Sequence, residues 1–478
     1  MAEMSKLDSH ATSDALLSQR CVMLSVMLGT GTVSINNSSF NPAIPQLMQD
    51  FQIAEATVSW VMVIFLLAMS LSLLLTGFLS QRWGKRRVYL AALSLFMLSS
   101  MFGAFASQFE TVLTVRALQG FASGLMIPLS LGIIFSVTPK EQRGAATGLW
   151  GAMIMLTLAC GPMLGALMLA VCSWHALFLL NVPLAIIALI VGWFYLPRQP
   201  AIQNLKFDWL GFGLLSIFII CFVLALSLIQ QLQDVYQPTF WWLLGLSGFA
   251  GFGFFWASRK KPDAIITWSL FQSHEFNYSL MLSVVHTIGL FLSLFLIPLL
   301  IQNSLQLSPL WSGLLLMSSA LTTSLCSKRA GRYLDQHGAK RLLSVGIVLT
   351  AISFVGLGLA ANHSIVLLML CMVMHGLGFG LSYMPATTAG LNHLPNPELV
   401  THGAAVNNLL RRLCAAIAVV IAALYLQIHT QNFLESPELA IVQRQVIQEL
   451  FFFCACITLL ALPFAWKFPH QKQQHIHI

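Results

Sequence analysis

Two short stretches of this chain repeat one pattern, and the repeat decides the fold. Residues 77–87 read GFLSQRWGKRR, and residues 331–341 read GRYLDQHGAKR. Each begins with glycine, has a polar residue four positions later and a second glycine seven positions later, and ends on two basic residues. Glycines allow tight turns, and basic clusters stay at a membrane surface. We therefore expect two related turns that govern conformational change through Gly77, Gln81, Gly84, Arg86, Asp335 and Gly338.

The composition identifies a membrane protein. The chain has 478 residues with 24 Lys or Arg and 16 Asp or Glu, so that 8% are charged. A soluble domain carries about 25% charged residues. With 57% hydrophobic residues and a mean hydropathy of +0.80, the chain is not a soluble enzyme, a disordered chain or a nucleic-acid-binding module. The apolar stretches are continuous, which favours helices over a β-barrel.

The apolar runs predict fourteen membrane-spanning helices. Each run is bounded by polar or turn residues and is long enough for a crossing of roughly 20 residues. The predicted spans are 21–46, 57–79, 88–107, 111–135, 144–171, 174–196, 209–231, 239–258, 276–300, 310–327, 342–361, 364–390, 403–427 and 448–466.

The basic residues predict the orientation of these spans. Twenty of the 24 fall on the side of the N-terminus, only Arg444 falls on the opposite side, and Arg116, Arg411 and Arg412 lie within spans. Cytoplasmic loops carry an excess of Lys and Arg. We therefore expect both termini in the cytoplasm, and the net charge of +8 then reflects topology and not a nucleic-acid partner.

The repeat predicts how the spans are grouped. The first repeated loop follows span 2 and the second follows span 10, so two six-helix halves are separated by two extra spans. Parallel six-helix repeats are a transporter architecture. The predicted divisions are a cytoplasmic segment 1–20, an N-terminal half 21–196, an inserted hairpin 209–258, a C-terminal half 276–466 and a cytoplasmic tail 467–478.

At this point the sequence resembles the major facilitator superfamily, and within it the fourteen-span drug:proton antiporter family. The loop at 77–87 is similar to the family's loop between spans 2 and 3. Span 4 carries an arginine motif, and span 5 carries Gly161-Pro162-Met163-Leu164-Gly165, which resembles the antiporter motif. Residues 174–183 resemble its span-6 opening, and residues 408–413 its span-13 segment. The resemblance implies the major facilitator fold and export, with Gly161, Pro162 and Gly165 in packing and switching.

The chain departs from the resembled family in its acids. Gln81 stands where the family's loop normally has Asp, and Asn36 stands where its first span usually has a buried Asp. None of the sixteen acidic residues lies deep in a predicted span. Glu275 is at the inner mouth of span 9, Asp50 and Glu449 are at outer ends, and the others fall in loops or tails.

Without a buried acid, two histidines are the candidates for proton coupling. His286 lies about ten residues into span 9 and His375 about eleven into span 12, roughly 15 Å deep at 1.5 Å per residue. Imidazole titrates near pH 6.5, a suitable range for a proton carrier. A hydrogen-bonded packing role is the alternative for either residue.

Polar residues within the spans predict a substrate cavity. Arginine facing lipid costs at least a few kcal/mol, so the arginines within spans should face the interior. For Arg116 a structural or coupling role is as plausible as substrate contact. With bases and no acid, the cavity should favour neutral or anionic organic molecules. The predicted cavity residues are Asn36, Asn37, Asn41, Arg116, Gln119, Asn407, Asn408 and Arg411.

The sequence thus predicts a transporter of the cytoplasmic (inner) membrane that exports a small organic molecule by alternating access, with proton-coupled multidrug efflux as the first hypothesis. A dedicated exporter of an anionic metabolite or siderophore-like compound is the alternative, and a membrane-embedded enzyme is a weaker one. Neither a cofactor nor a metal is expected. The expected partners are the substrate, protons or another coupling ion, and lipid. An accessory periplasmic or outer-membrane export partner remains open.

Overall fold

A computed structural model provides the structure. It describes residues 2–139, 143–198, 207–229, 236–259, 261, 265–266, 268–361, 364–395, 397–433, 436 and 438–468. Only the backbone is described for residues 2–18, 143–145, 147–148, 152, 155, 328, 332, 335–336, 397–398 and 401. The side chain of Asp335 and most of the predicted tail 467–478 are therefore outside the description.

The described residues form helices joined by short connections. The α-helices are α1 (Ala2–Ser39), α2 (Ile44–Phe51), α3 (Glu55–Trp83), α4 (Lys85–Gly103), α5 (Phe109–Val137), α6 (Arg143–Val171), α7 (His175–Leu180), α8 (Val182–Tyr195), α9 (Trp209–Ser227), α10 (Pro238–Ser258), α11 (His274–Pro298), α12 (Pro309–His337), α13 (Ala339–Ala360), α14 (Ile365–Asn392), α15 (Pro397–Thr430), α16 (Leu439–Leu460) and α17 (Leu462–Trp466). A π-helical turn, Leu299–Ser304, extends α11.

Twelve segments of the described chain are long and apolar enough to cross a membrane. They coincide with twelve of the fourteen predicted spans. The other two predictions, 21–46 and 88–107, fall on α1 and α4, which are helical but more polar. The part of α1 within the prediction contains several Ser, Thr and Asn residues, and α4 begins with Lys85, Arg86 and Arg87. The count of fourteen therefore stays a prediction.

Prolines interrupt two of the predicted spans. The span predicted at 21–46 is broken, because α1 ends at Ser39 and a 3₁₀ turn, Asn41–Ala43, precedes α2. Pro42 and Pro45 lack the N–H groups that would continue the hydrogen-bond ladder. The span predicted at 174–196 is interrupted in the same way, at Asn181 before Pro183.

The two repeated stretches form matching one-residue turns. Gly84 alone separates α3 from α4, with φ of 85°, and Gly338 alone separates α12 from α13, with φ of 80°. Side chains other than glycine rarely adopt such angles. The first glycine of each stretch, Gly77 or Gly331, lies inside a helix, so the turn-forming role that the pattern suggested for it is wrong.

The helices pack into two groups that meet along two pairs. The first group contains α1–α8 with the 3₁₀ turn Asn41–Ala43, and the second contains α11–α17 with the π-helical turn. Helix α3 packs against α15, and α6 packs against α12, so that these pairs join the groups. We call the end with the Gly84 and Gly338 turns the basic end and the opposite one, where α3 and α16 begin, the far end.

The helices between the two groups form a hairpin. Helices α9 and α10 pack on each other, and α9 also contacts α3 and α15. Phe78 of α3 packs against Phe207 and Trp209 at the start of this hairpin. The hairpin therefore lies beside one of the two junctions between the groups.

Candidate functional site

The first group encloses a polar network around Arg116. Its Nε donates to the Val61 carbonyl at 3.1 Å, and one terminal nitrogen donates to Asn36 Oδ1 at 2.7 Å and to Gln119 Oε1 at 3.1 Å. Gln119 in turn donates to Ser100 Oγ at 2.8 Å. Arg116 is only 2% exposed, so these bonds replace its hydration. The structure thus brings together three of the predicted cavity residues.

No carboxylate takes part in this network. Within the described part of the chain the one salt bridge joins Lys261 to Asp208, far along the sequence from Arg116. The guanidinium instead lies 4.8 Å from the Phe40 ring centroid and 4.3 Å from that of Phe65. Amide oxygens and aromatic faces therefore hold a buried cation, which such faces attract.

Two other predicted asparagines lie near the end of α1. Asn41 is buried in the 3₁₀ turn and its Nδ2 has no described partner, and the same holds for Nδ2 of Asn36. Asn37 is half-buried. These donors are available to a bound molecule only if it reaches the interior of this group.

The second group contains a looser polar cluster. The terminal nitrogen of Arg411 donates to the Tyr383 hydroxyl, and its guanidinium lies 4.5 Å from that ring centroid. Its Nε is buried without a described partner. Asn407 donates to Ser283 Oγ at 3.5 Å, and its Oδ1 has no described partner. Asn408 donates within its own helix, to the Ala404 carbonyl. Arg411 and Asn407 therefore keep unused polar atoms.

The two predicted coupling histidines both lie near one aromatic ring, that of Phe379. His286 is bonded at Nδ1 to the Leu282 carbonyl at 2.8 Å and at Nε2 to Ser382 Oγ at 2.5 Å. His375 is bonded at Nδ1 to Ser319 Oγ at 2.9 Å, and its Nε2 has no described partner. The Phe379 ring centroid lies 5.9 Å from that of His286 and 6.0 Å from that of His375. Both imidazoles are buried.

The glycines of the span-5 motif allow α6 to pack closely against α1, and Gly313 allows α12 to approach the same segment of α6. A Cβ added at Gly161 would meet Ser38 of α1, and one added at Gly165 would lie 2.1 Å from the Ser39 carbonyl oxygen. On another side, the Pro162 carbonyl packs against Gly313 of α12. Small residues permit such close helix packing in membranes. The motif therefore lies at a junction between the two groups.

The predicted turn residues have different surroundings. Arg86 donates to the Trp193 carbonyl at the end of α8. Gln81 and Gly77 are exposed on α3. Gln81 lies on the surface of the basic end and has no hydrogen bond among the described residues, so it does not cap a neighbouring helix.

A cavity of about 1060 Å³ opens at the far end between the two groups. It contains none of the predicted cavity residues. Its polar lining is eight carboxamides and a few hydroxyls, with Glu55 as the acid. The lining residues are Pro45, Met48, Gln49, Gln52, Ile53, Ala54, Glu55, Asn303, Gln306, Gln427, Thr430, Gln431, Asn432, Ser436, Leu439, Ala440 and Gln443.

Hydrogen bonds between the groups gather at this same end. Gln302 donates to the Pro42 carbonyl at 2.8 Å, the Ala56 N–H donates to Gln427 at 3.2 Å, and Gln443 donates to Glu55 Oε1 at 3.1 Å. Among the described residues, direct hydrogen bonds between the groups occur only here. In this structure the two groups are therefore joined to each other by hydrogen bonds at the far end.

The apolar runs place Glu55 in a loop before span 2, but it is the first residue of α3 and only 6% exposed. A negative charge in the first turn of a helix is stabilised by the helix dipole, which is consistent with an acid at this position. Glu55 is buried because α16 packs against it, and the sequence around Glu55 does not predict this contact.

In the part of the chain that the structure describes, this architecture is that of an all-helical, multi-pass membrane protein whose helices form two groups. The sequence profile of the Major Facilitator Superfamily matches residues 26–285 and 279–476. The chain therefore belongs to the major facilitator superfamily.

Its relatives are transport proteins. The chain is 28% identical over 446 residues to the lincomycin resistance protein LmrB of Listeria innocua, covering 90% of this chain and 93% of that protein. It is 26% identical to the riboflavin transporter RibZ of Clostridioides difficile, covering 83% and 86%. A solved POT family transporter shares the fold, with a TM-score of 0.68 at 14% identity over 94% and 96% of the chains. These similarities are to transporters and not to enzymes, so the enzyme hypothesis is set aside.

Proposed function

We propose that this protein is a secondary transporter of the cytoplasmic membrane that exports a small organic molecule by alternating access. In this proposal the chain crosses the membrane fourteen times, with halves 21–196 and 276–466, the hairpin 209–258 between them, and both termini in the cytoplasm. The basic end then faces the cytoplasm and the far end faces outward.

The observation that carries the proposal is the placement of the bonds between the groups. These bonds join the two groups at the far end. The packed pairs α3 with α15 and α6 with α12 provide the surfaces on which the two halves can rock. Rocking of one bundle against the other around a central site is the usual mechanism of such repeats. The resistance function in the name of LmrB supports the outward direction.

The charges of the interior support a neutral or anionic substrate. Arg116 and Arg411 have no carboxylate partner in the described chain, and a second cation would be repelled by either. Arg411 also has the unused Nε. Arginine binds carboxylates well through paired donors. This favours, as the second candidate function, a dedicated exporter of an anionic metabolite or siderophore-like compound.

Protons are the proposed coupling ion, and His286 and His375 are the proposed carriers. They lie midway along α11 and α14, and both ring nitrogens of His286 are in hydrogen bonds. Nε2 of His375 is buried and has no described hydrogen-bond partner, so it is the ring nitrogen that we propose takes up the proton.

Inverted membrane vesicles test the proposal. Accumulation of a panel of anionic, neutral and cationic compounds is measured with and without a proton gradient, against vesicles that lack the protein. We expect gradient-driven accumulation of at least one neutral or anionic compound. Strong energy-dependent transport of ethidium or a quaternary ammonium compound, with none of an anionic or neutral compound, would contradict the charge preference. No gradient-driven accumulation of any compound would contradict the function.

A further inference from the structure

The proposed transport cycle leaves the buried carboxyl of Glu55 without a role. Its Oε1 accepts from Nε2 of Gln443 at 3.1 Å, and Oε1 of Gln443 accepts from Ser304 Oγ at 3.1 Å. We call these three residues the Glu55 latch. They connect α3 of the first group to α16 and the π-helical turn of the second. Separation of the groups at the far end must break the Glu55–Gln443 bond.

The latch lies beside a second bond between the groups. The N–H of Ala56, the next residue of α3, donates to Gln427 of α15 at 3.2 Å. Glu55 and Gln427 also line the far-end cavity, whose rim residues Gln52 and Asn432 are exposed. The carboxyl therefore lies on the floor of a water-accessible vestibule, where a proton can reach it from that side.

Other charged groups at this end are engaged elsewhere or exposed. Arg444 donates to the Ser304 carbonyl at 3.0 Å, Asp50 accepts from Trp174, and Glu449 accepts from Tyr425. No described cation lies within salt-bridge distance of Glu55. At the far end, the titratable and charged residues on the elements around Glu55 are Asp50, Glu110, Tyr425, His429, Glu438, Arg444 and Glu449, and none of these lines the cavity. Arg82, Arg116, His402, Arg411 and Arg412 lie further along α3, α5 and α15. Glu435 lies outside the described residues.

These contacts set the sign of the proton effect. Burial without a cation disfavours an ionised carboxylate, and this effect outweighs the opposing effects of the Gln443 hydrogen bond and of the helix N-terminus. An exposed glutamate ionises above pH of about 4.3. The closed state therefore binds a proton at this site more tightly than the open state does. By linkage, lowering the outer pH favours closure and raising it favours opening.

We propose that Glu55 is a proton-binding residue that latches the far end: protonated when the two groups are joined there, ionised when they part. The inference rests on the proposed function for the direction in which this end faces. The proton enters and leaves from the outside, so the site controls the return of the empty transporter without carrying a proton across. This role is separate from that of His286 and His375.

Electron–electron distance measurements test the latch without any substrate. Spin labels are placed at Gln52 and Asn432, on either side of the vestibule, in a full-length chain whose native cysteines are replaced. In the wild-type background we expect the long-distance, open population to be at least about threefold smaller at pH 5.5 than at pH 8. In Glu55→Gln, a neutral side chain that still accepts from Gln443, the population should stay at the low-pH value throughout.

Two further variants make the result specific. Asp50→Asn removes an acid at the same end that bonds within the first group, and it should keep the wild-type pH response. Gln443→Glu faces Glu55 with a second carboxyl, and like charges at one site should increase the open population at pH 8. An unchanged pH response in Glu55→Gln would overturn the latch. If Glu55→Gln does not fold, the absence of a larger open population in Gln443→Glu at pH 8 would overturn the latch instead.

The latch and the transport function can fail separately. A pH-dependent distance in a protein that accumulates no compound in vesicles would leave the latch standing and contradict the proposed export. Gradient-driven export with a pH-independent distance would support the proposed export and contradict the latch.

Discussion

Arg116 and Arg411 lie in corresponding interiors of the two groups, yet their surroundings differ. Arg116 is held by Val61, Asn36 and Gln119, with aromatic rings beside it, and is almost fully buried. Arg411 has a single described hydrogen-bond partner, Tyr383, and an unpaired Nε. An arginine bonded to several helices connects them, whereas an arginine with an unpaired donor can bind a ligand. We therefore propose a structural role for Arg116 and substrate contact for Arg411.

The largest expected effect is that of Arg116→Leu on stability. The change leaves the Asn36, Gln119 and Val61 oxygens without their donor, and we expect a loss of about 3 kcal/mol in the free energy of unfolding. Thermal unfolding in detergent measures it, with Arg411→Leu as the matched variant in the other group. Equal melting temperatures for the two variants would remove the distinction.

Arg411→Gln should weaken the binding of an anionic compound. We expect a KM about tenfold higher for an anionic compound, because about 1.4 kcal/mol of charge-assisted binding is lost. The KM for a neutral compound and the melting temperature should stay near the wild-type values. Tyr383→Phe is the control, since it removes the hydroxyl and keeps the guanidinium. A uniform loss for both compounds would place Arg411 in structure as well.

Asn36→Asp sharpens the role of charge. A carboxylate here would pair with Arg116 and make the first interior neutral, as in the resembled family. We expect ethidium efflux from cells to rise about threefold, since repulsion of a cation is worth under 1 kcal/mol at such range in a hydrated cavity. Asn37→Asp places the same charge on the next residue, outside the Arg116 network. Equal gains from both variants would show that Arg116 is not the repelling group.

The smallest expected effect is on the pH profile. His286→Gln with His375→Gln should flatten the dependence of export on inner pH between pH 5.5 and 7.5 by about twofold to threefold, because in this proposal the two imidazoles take up and release the coupled proton. The measurement uses proteoliposomes with a clamped outer pH. A profile like that of the wild type, with normal gradient-driven transport, would remove both histidines from coupling.

Much of the fold follows from local sequence. Continuous apolar runs specify where helices lie, and glycines with positive φ at Gly84 and Gly338 specify matching turns, so these features were predictable. The breaks at Pro42 and Pro183 are also local, but apolar runs alone hide them. The burial of Glu55 depends on α16, whose Gln443 lies 388 residues further along the chain, and the sequence pattern near Glu55 does not indicate it. The Arg116 network could be expected only in part, because Asn36 and Gln119 are on different helices.

The central claim is that the two groups rock, with the far end closed in the structure described. Spin-label distances test it most directly when both ends are measured: Gln52 to Asn432 at the far end and Arg82 to His337 at the basic end. On addition of a transported compound, the account predicts that the far-end distance lengthens while the basic-end distance shortens. Distances that change in the same direction at both ends, or that change at neither end, would contradict alternating access.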